Sequence, residues 1–240
     1  MPETFVLIVG AWHGGWTWRP VAQHLRAAGH RVLTPSLPGI ADGADPEQYS
    51  LADVADFIVD LVERHDLRDV TMVGHSWGGY PITGAAPRLA SRLRKLVYWS
   101  AFVPAEGTPL LDEVPPAYVE LFTQLAAASG NNSVTLPFDV FSTGFMQDAE
   151  ENMQRLVHSL LAPQPMRYLT EPVAPVDPAA LGVPASYVIS SEDISLPPGE
   201  WGWTPRFPQR LGDVPVIETP GSHEANFTRP AELAEALLKA

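Results

Sequence analysis

Gly74-His75-Ser76-Trp77-Gly78-Gly79 decides how this 240-residue chain is read. The apolar run Val70-Thr71-Met72-Val73 precedes it, as in a buried parallel strand, and Tyr80 to Leu89 follows with helical length and spacing. A serine between a strand and a helix needs a sharp turn. Glycine at 74 and 78 permits a strained backbone and lets the two elements pack closely around Ser76. The hydroxyl is then expected at the carboxyl end of a sheet, above a helix N-terminus whose amides and dipole favour developing negative charge. Gly-x-Ser-x-Gly also arises by chance, so the motif alone does not separate a reactive serine from a Gly-Ser loop.

Outward from this turn, strands and helices alternate. Phe5 to Val9 reads as a central parallel strand ending at Gly10, followed by the glycine-rich loop Gly10-Ala11-Trp12-His13-Gly14-Gly15-Trp16. Trp18 to Ala28 has helical spacing closed by Gly29, and Arg31 to Thr34 is a second strand. Leu51 to His65 is a helix with Ser50 as its N-cap, and Leu93 to Trp99 a further strand. From about Pro104 to Pro184 proline becomes dense, and helical segments at Ala117 to Ala128 and Asp148 to Leu161 succeed one another without a clear strand. We expect a cap inserted at the carboxyl end of the sheet, over residues 104–184 of one domain spanning 1–240. Ala185 to Ser190 and Val214 to Glu218 restore the strand rhythm, and Ala231 to Lys239 is a closing helix. The expected class is α/β, a mostly parallel sheet flanked by helices with a helical cap.

Composition narrows the chemistry. A formal net charge of -13 opposes nucleic acid or an anionic membrane surface as partner, which leaves a small-molecule substrate as the expected one. With no cysteine, disulfides, thiolate metal sites and a cysteine nucleophile are excluded. Acidic residues show no dense ligand cluster, and the glycines at 10–15 lack phosphate-loop spacing, so neither metal nor cofactor is expected. No basic segment followed by a long apolar stretch precedes Phe5, and a cytoplasmic location is expected. Oligomeric state is not legible.

A serine nucleophile needs a base and a group to orient that base. Of seven histidines, His223 in Gly221-Ser222-His223 follows the last expected strand and would reach the sheet's carboxyl edge. His24, His30, His65 and His158 fall on helices or helix ends and are expected to be solvated, while His75 should point away from the site. Asp193 and Glu192 after the Ala185 to Ser190 strand are the acid candidates, with Glu106 an outsider. The order Ser76, Asp193, His223 is that of an α/β-hydrolase.

The blocks Val6 to Trp16, Gly74 to Gly79, Glu192-Asp193 followed by Leu196-Pro197, and Gly221 to His223 together resemble the α/β-hydrolase branch that contains plant methylesterases, hydroxynitrile lyases and bacterial esterase-like proteins. The resemblance implies Ser76 as nucleophile, His223 as base and then acid, and Asp193 as its orienting carboxylate. It implies an oxyanion hole formed by the backbone N–H groups of Ala11 and Trp77. It also shows departures: Val9 stands where the family usually has a histidine supporting the loop, and Gly10 and Glu224 stand where the lyases carry threonine and lysine. A carboxylate at 224 would repel cyanide, which favours hydrolysis of a carboxylic ester of a small to medium hydrophobic substrate. Another triad-dependent reaction, such as lactone opening, and a small-molecule binding protein stay open as alternatives. His13, Phe138, Phe141, Phe145 and Met146 are candidate substrate contacts, the last four from the cap.

Overall fold

The computed structural model describes residues 2–41 and 43–240. β1 (Thr4–Ile8), α1 (Arg19–Ala27), β2 (Arg31–Leu33), α2 (Leu51–Arg64), β3 (Val70–His75), α3 (Gly79–Leu89) and β4 (Leu93–Trp99) alternate along the N-terminal part. A long connection then carries α4 (Pro116–Ser129), β5 (Ser133–Val134), α5 (Phe138–Gly144), α6 (Glu151–Ser159), β6 (Gln164–Pro165) and α7 (Met166–Thr170). β7 (Ala185–Ser190), β8 (Val216–Thr219), α8 (Ala225–Thr228) and α9 (Pro230–Lys239) follow.

Six strands form one sheet in the order β2-β1-β3-β4-β7-β8, and each neighbouring pair is parallel. Parallel strands covered on both faces read as continuous apolar runs, and every residue of β3 is buried. Helices close the faces in pairs, α1 against α9 and α2 against α3. Ser50 caps α2 reciprocally: its Oγ accepts from the Asp53 amide and the Asp53 carboxylate accepts from the Ser50 amide. The chain first builds outward from β1 to β2 and then returns to the other side of β1, so strand order reverses between β1 and β3. A crevice opens at the carboxyl ends of strands at such a switch point, and the loops bearing Ala11 and Ser76 lie there.

The connection between β4 and β7 departs from the expected run of helices. It contains a two-stranded antiparallel ladder, β5 with β6, and the additional short helices α5 and α7. Two-residue strands, one ending in Pro165, are too short to leave a period-two pattern. Two histidines expected in solvent are packed instead. His30 Nδ1 accepts from the Glu3 amide and meets Phe5 edge-on, while His158 Nε2 lies 2.7 Å from the Leu136 carbonyl oxygen against Phe138 and Phe141. Among the described residues no helix is long and apolar enough to cross a membrane.

Close approach explains the glycines after β3. A Cβ on Gly79 would lie 1.9 Å from the Phe102 carbonyl oxygen, and one on Gly78 2.6 Å from that of Val9. Both obstacles are backbone, so relief requires the sheet to move. Gly79→Ala is expected to destabilise the fold by about 1–3 kcal/mol or more, read as a lowered thermal midpoint, and an unchanged midpoint would contradict this packing.

Candidate active site

Ser76 itself, rather than a flanking glycine, takes the left-handed conformation, with φ of 53°. Its amide donates to the Ser100 carbonyl at 3.2 Å and its carbonyl accepts from the Phe102 amide at 3.1 Å, so the chain leaving β4 pins the turn. Gly10 faces it from the β1 loop, where a Cβ would stand 3.0 Å from the Ser76 Cβ. A threonine at 10 would therefore crowd the serine in this backbone. Trp77 is fully buried; its indole N–H donates to the Tyr168 carbonyl at 3.1 Å and its ring stacks on Tyr168.

His223 leaves β8 just before α8 and is 2% exposed. Its Nδ1 lies 2.7 Å from Asp193 Oδ2, and the second carboxylate oxygen accepts from the Ser195 amide at 3.0 Å and the Ser195 hydroxyl at 2.6 Å. Both Asp193 oxygens are therefore bonded in a buried site. Burial pushes the Asp193 carboxyl upward, yet the charge of His223 and the bonds from His223 and Ser195 outweigh it and hold the pKa below the ordinary value. Burial likewise pushes the His223 imidazole downward, but Asp193, with a smaller contribution from Glu224, moves it above its ordinary value. Three rings enclose the imidazole: Trp203 stacked at 5.5 Å, Phe145 edge-on at 5.3 Å, and His75 at 4.5 Å. His75 stacks in turn on Trp99 at 4.0 Å, behind the pair.

The competing carboxylates do other work. Glu192 Oε1 accepts from the Gly221 amide at 3.1 Å, and the Glu192 amide donates to the Gly221 carbonyl, which fastens the two loops that carry Asp193 and His223. Glu106 is exposed in the turn after β4. Ser76, His223, Ala11 and Trp77 line one cavity of about 30 Å³. Its remaining wall is apolar and largely aromatic: Trp12, Phe102, Leu110, Val114, Tyr118, Phe122, Phe145, Leu169, Leu196 and Trp203, with Ser195.

Of the cap residues singled out in the sequence, Phe145 reaches this cavity. Phe138 and Phe141 pack on His158, and Met146 is fully buried in the core, so the three are not part of its lining. His13, in the β1 loop itself, lies near Ser76 and His223 but outside this lining, with Nδ1 2.7 Å from the Ala11 carbonyl oxygen. Sequence reading missed Tyr118, Phe122 and Leu169, whose helical positions carry no mark of which face looks at the serine. It also missed Ser195, although Asp193-x-Ser195 is the spacing at which a carboxylate accepts from the chain two residues on. Among the described residues no group of three or more His, Asp or Glu could hold a metal ion.

The chain matches the alpha/beta hydrolase family over residues 5–236. It belongs to that family. It is similar to an extracellular alpha/beta-hydrolase from a Paenibacillus species, described as sharing structural and functional homology with tobacco salicylic acid-binding protein 2, at 33% identity and a TM-score of 0.94 across 100% of this chain and 99% of that one. Methylesterase 7 of Arabidopsis thaliana is 28% identical over 264 aligned positions, covering 99% of this chain and 95% of that protein. A carbendazim-hydrolyzing esterase of Nocardioides sp. is 47% identical over 115 residues, and the similar stretch covers 47% of this chain and 48% of that protein.

The opposed influences on His223 give a direct test. Its imidazole is expected to titrate above the ordinary histidine value, followed by NMR of the ring nitrogens, and Asp193→Asn is expected to move the midpoint down because burial then acts with less opposition. A midpoint unmoved by that substitution would contradict the pairing.

Proposed function

We propose that this hydrolase cleaves a small, uncharged carboxylic ester through an acyl-enzyme on Ser76. The observation that carries the reading is the convergence on one cavity of a serine in a left-handed turn and an imidazole whose far nitrogen is bonded to a buried carboxylate. His223 Nε2 takes the Ser76 proton as Oγ attacks the ester carbonyl. Negative charge then develops on the carbonyl oxygen, and the amides of Ala11 and Trp77 are the donors that would receive it. As the tetrahedral intermediate collapses, the imidazolium returns its proton to the departing alcohol and the acyl group stays on Ser76. Water then enters, gives a proton to His223 and attacks the acyl carbon; collapse releases the acid and restores the Ser76 hydroxyl. The esterase names of its relatives support this reading.

The surroundings favour neutral substrates. Among the described residues no Lys or Arg lines the cavity, so an anionic group brought there would lose water without gaining a counter-charge. The same lack of a cation, with Glu224 buried beside His223, disfavours chemistry that must receive cyanide. The aromatic wall leaves a cavity of only about 30 Å³ beside Ser76, which favours a small acyl group.

Two results are expected. Ser76→Ala reduces kcat for p-nitrophenyl acetate by about 10⁴-fold or more with the thermal midpoint retained, and persistent turnover would place the chemistry elsewhere. p-Nitrophenyl butyrate is expected to exceed the p-nitrophenyl monoester of succinate in kcat/KM by at least about tenfold, since the latter carries a free carboxylate; equal values would contradict the uncharged cavity.

A further inference from the structure

The β1 loop contributes the imidazole of a second buried pair, His13 with Glu224, separate from Asp193 and His223. His13 is 3% exposed and Glu224 is 0% exposed, with His13 Nε2 and Glu224 Oε1 3.5 Å apart. Among the described residues neither Glu224 oxygen has a hydrogen-bond partner. A buried carboxylate without compensation costs several kcal/mol, and His13 is the group placed to compensate it.

The other side of His13 shows what the pair holds. Its Nδ1 is 2.7 Å from the Ala11 carbonyl oxygen, a contact that requires a proton on Nδ1. The same peptide unit is held at its other end, where the Trp12 amide donates to Gln164 Oε1 at 2.9 Å. Trp12 has φ of 66°, a conformation that costs a non-glycine residue about 1–3 kcal/mol and persists where the surroundings impose it. Two further bonds from the connection between β4 and β7 impose it: the Ala162 amide donates to the Trp12 carbonyl at 2.8 Å, and the Trp12 indole donates to the Val134 carbonyl at 2.9 Å. Val9, fully buried just before Gly10, offers no side-chain hydrogen bond to this loop.

We propose that Glu224 is a positioning residue for the oxyanion hole, acting through His13 on the peptide unit between Ala11 and Trp12 and thereby on the direction of the Ala11 amide. The inference rests on the reading of that amide as an oxyanion donor. A proton shared between Glu224 Oε1 and His13 Nε2 would serve in either location. On Nε2 it makes a doubly protonated imidazole facing a carboxylate, and on Glu224 it makes a carboxylic acid donating to Nε2. In both arrangements Nδ1 keeps its proton for the Ala11 carbonyl. Without a partner at 224, Nε2 is left unpaired in a buried site and the ring loses the group that anchors it with Nδ1 directed at that carbonyl.

The test compares two substitutions. Glu224→Met fills the same space with apolar atoms, an exchange that buried ionic groups commonly tolerate, and leaves Nε2 without a partner. Glu224→Gln removes the charge but can donate an amide N–H to Nε2, which retains the anchor on that side of the ring. With p-nitrophenyl acetate, Glu224→Met is expected to lower kcat by roughly 10- to 100-fold with KM changed less than about threefold, and Glu224→Gln to recover most of that loss. In a His13→Ala background, Glu224→Met should cost nothing further. Equal losses in Met and Gln would show a charge effect on His223 and overturn the proposal, as would full activity in Glu224→Met. Full activity in Glu224→Met with Ser76→Ala inactive defeats this inference alone, whereas an active Ser76→Ala defeats the reading beneath it.

Discussion

The backbone of Ser76 is held in a left-handed conformation by two hydrogen bonds to the chain leaving β4, and the rest of the site is arranged around that constraint. Adjacent strands share the device. Trp12 after β1, Ser76 after β3 and Ser100 after β4 all have positive φ, at 66°, 53° and 38°. Each such residue carries a conformational cost of about 1–3 kcal/mol, so three together persist through dense packing. The packing is visible at Gly10, Gly78 and Gly79, where any Cβ would press on Ser76 or on neighbouring backbone. A serine hydroxyl thus stands clear of its own chain at the switch point of the sheet, where loops from both directions meet.

The segment between β4 and β7 covers this point and also helps to build it. Gln164, Ala162 and Val134 bind Trp12, and Tyr168 binds and stacks on Trp77, so the two residues flanking the proposed oxyanion site are each anchored from above. A third tie is ionic. Glu113, 1% exposed, pairs with Arg206 and Arg210, and Arg210 also donates to the Val103 carbonyl at 2.7 Å. That cluster holds the beginning of the connection against the segment carrying Trp203, the ring stacked on His223. These contacts also orient the catalytic groups proposed here, so any movement that widens the cavity would act on them.

The sheet and its longer helices are legible in the sequence because the central strands are short apolar runs and the longer helices carry a full amphipathic period. Leu93–Trp99 and Ala185–Ser190 coincide with the expected strands. The β5–β6 ladder is not legible, since its pairing spans some thirty residues and its strands have two residues each. Phe138, Phe141 and Met146 show the limit for the pocket: size and apolarity mark residues that will be buried, and say nothing about whether they face Ser76 or each other. Glu224 shows another limit. In the sequence it marks only a carboxylate that would repel cyanide, whereas the fold buries it against His13, far away in the chain and close in space.

The account's central claim is that Ser76 carries the acyl group. Rapid quenching of the enzyme with p-nitrophenyl acetate, followed by intact-protein and peptide mass spectrometry, tests it directly. An acetyl adduct on the peptide containing Ser76, formed with the p-nitrophenol burst and decaying at the turnover rate, is the predicted result. Turnover of the ester with no adduct at any time, or with the adduct on another residue, would contradict it.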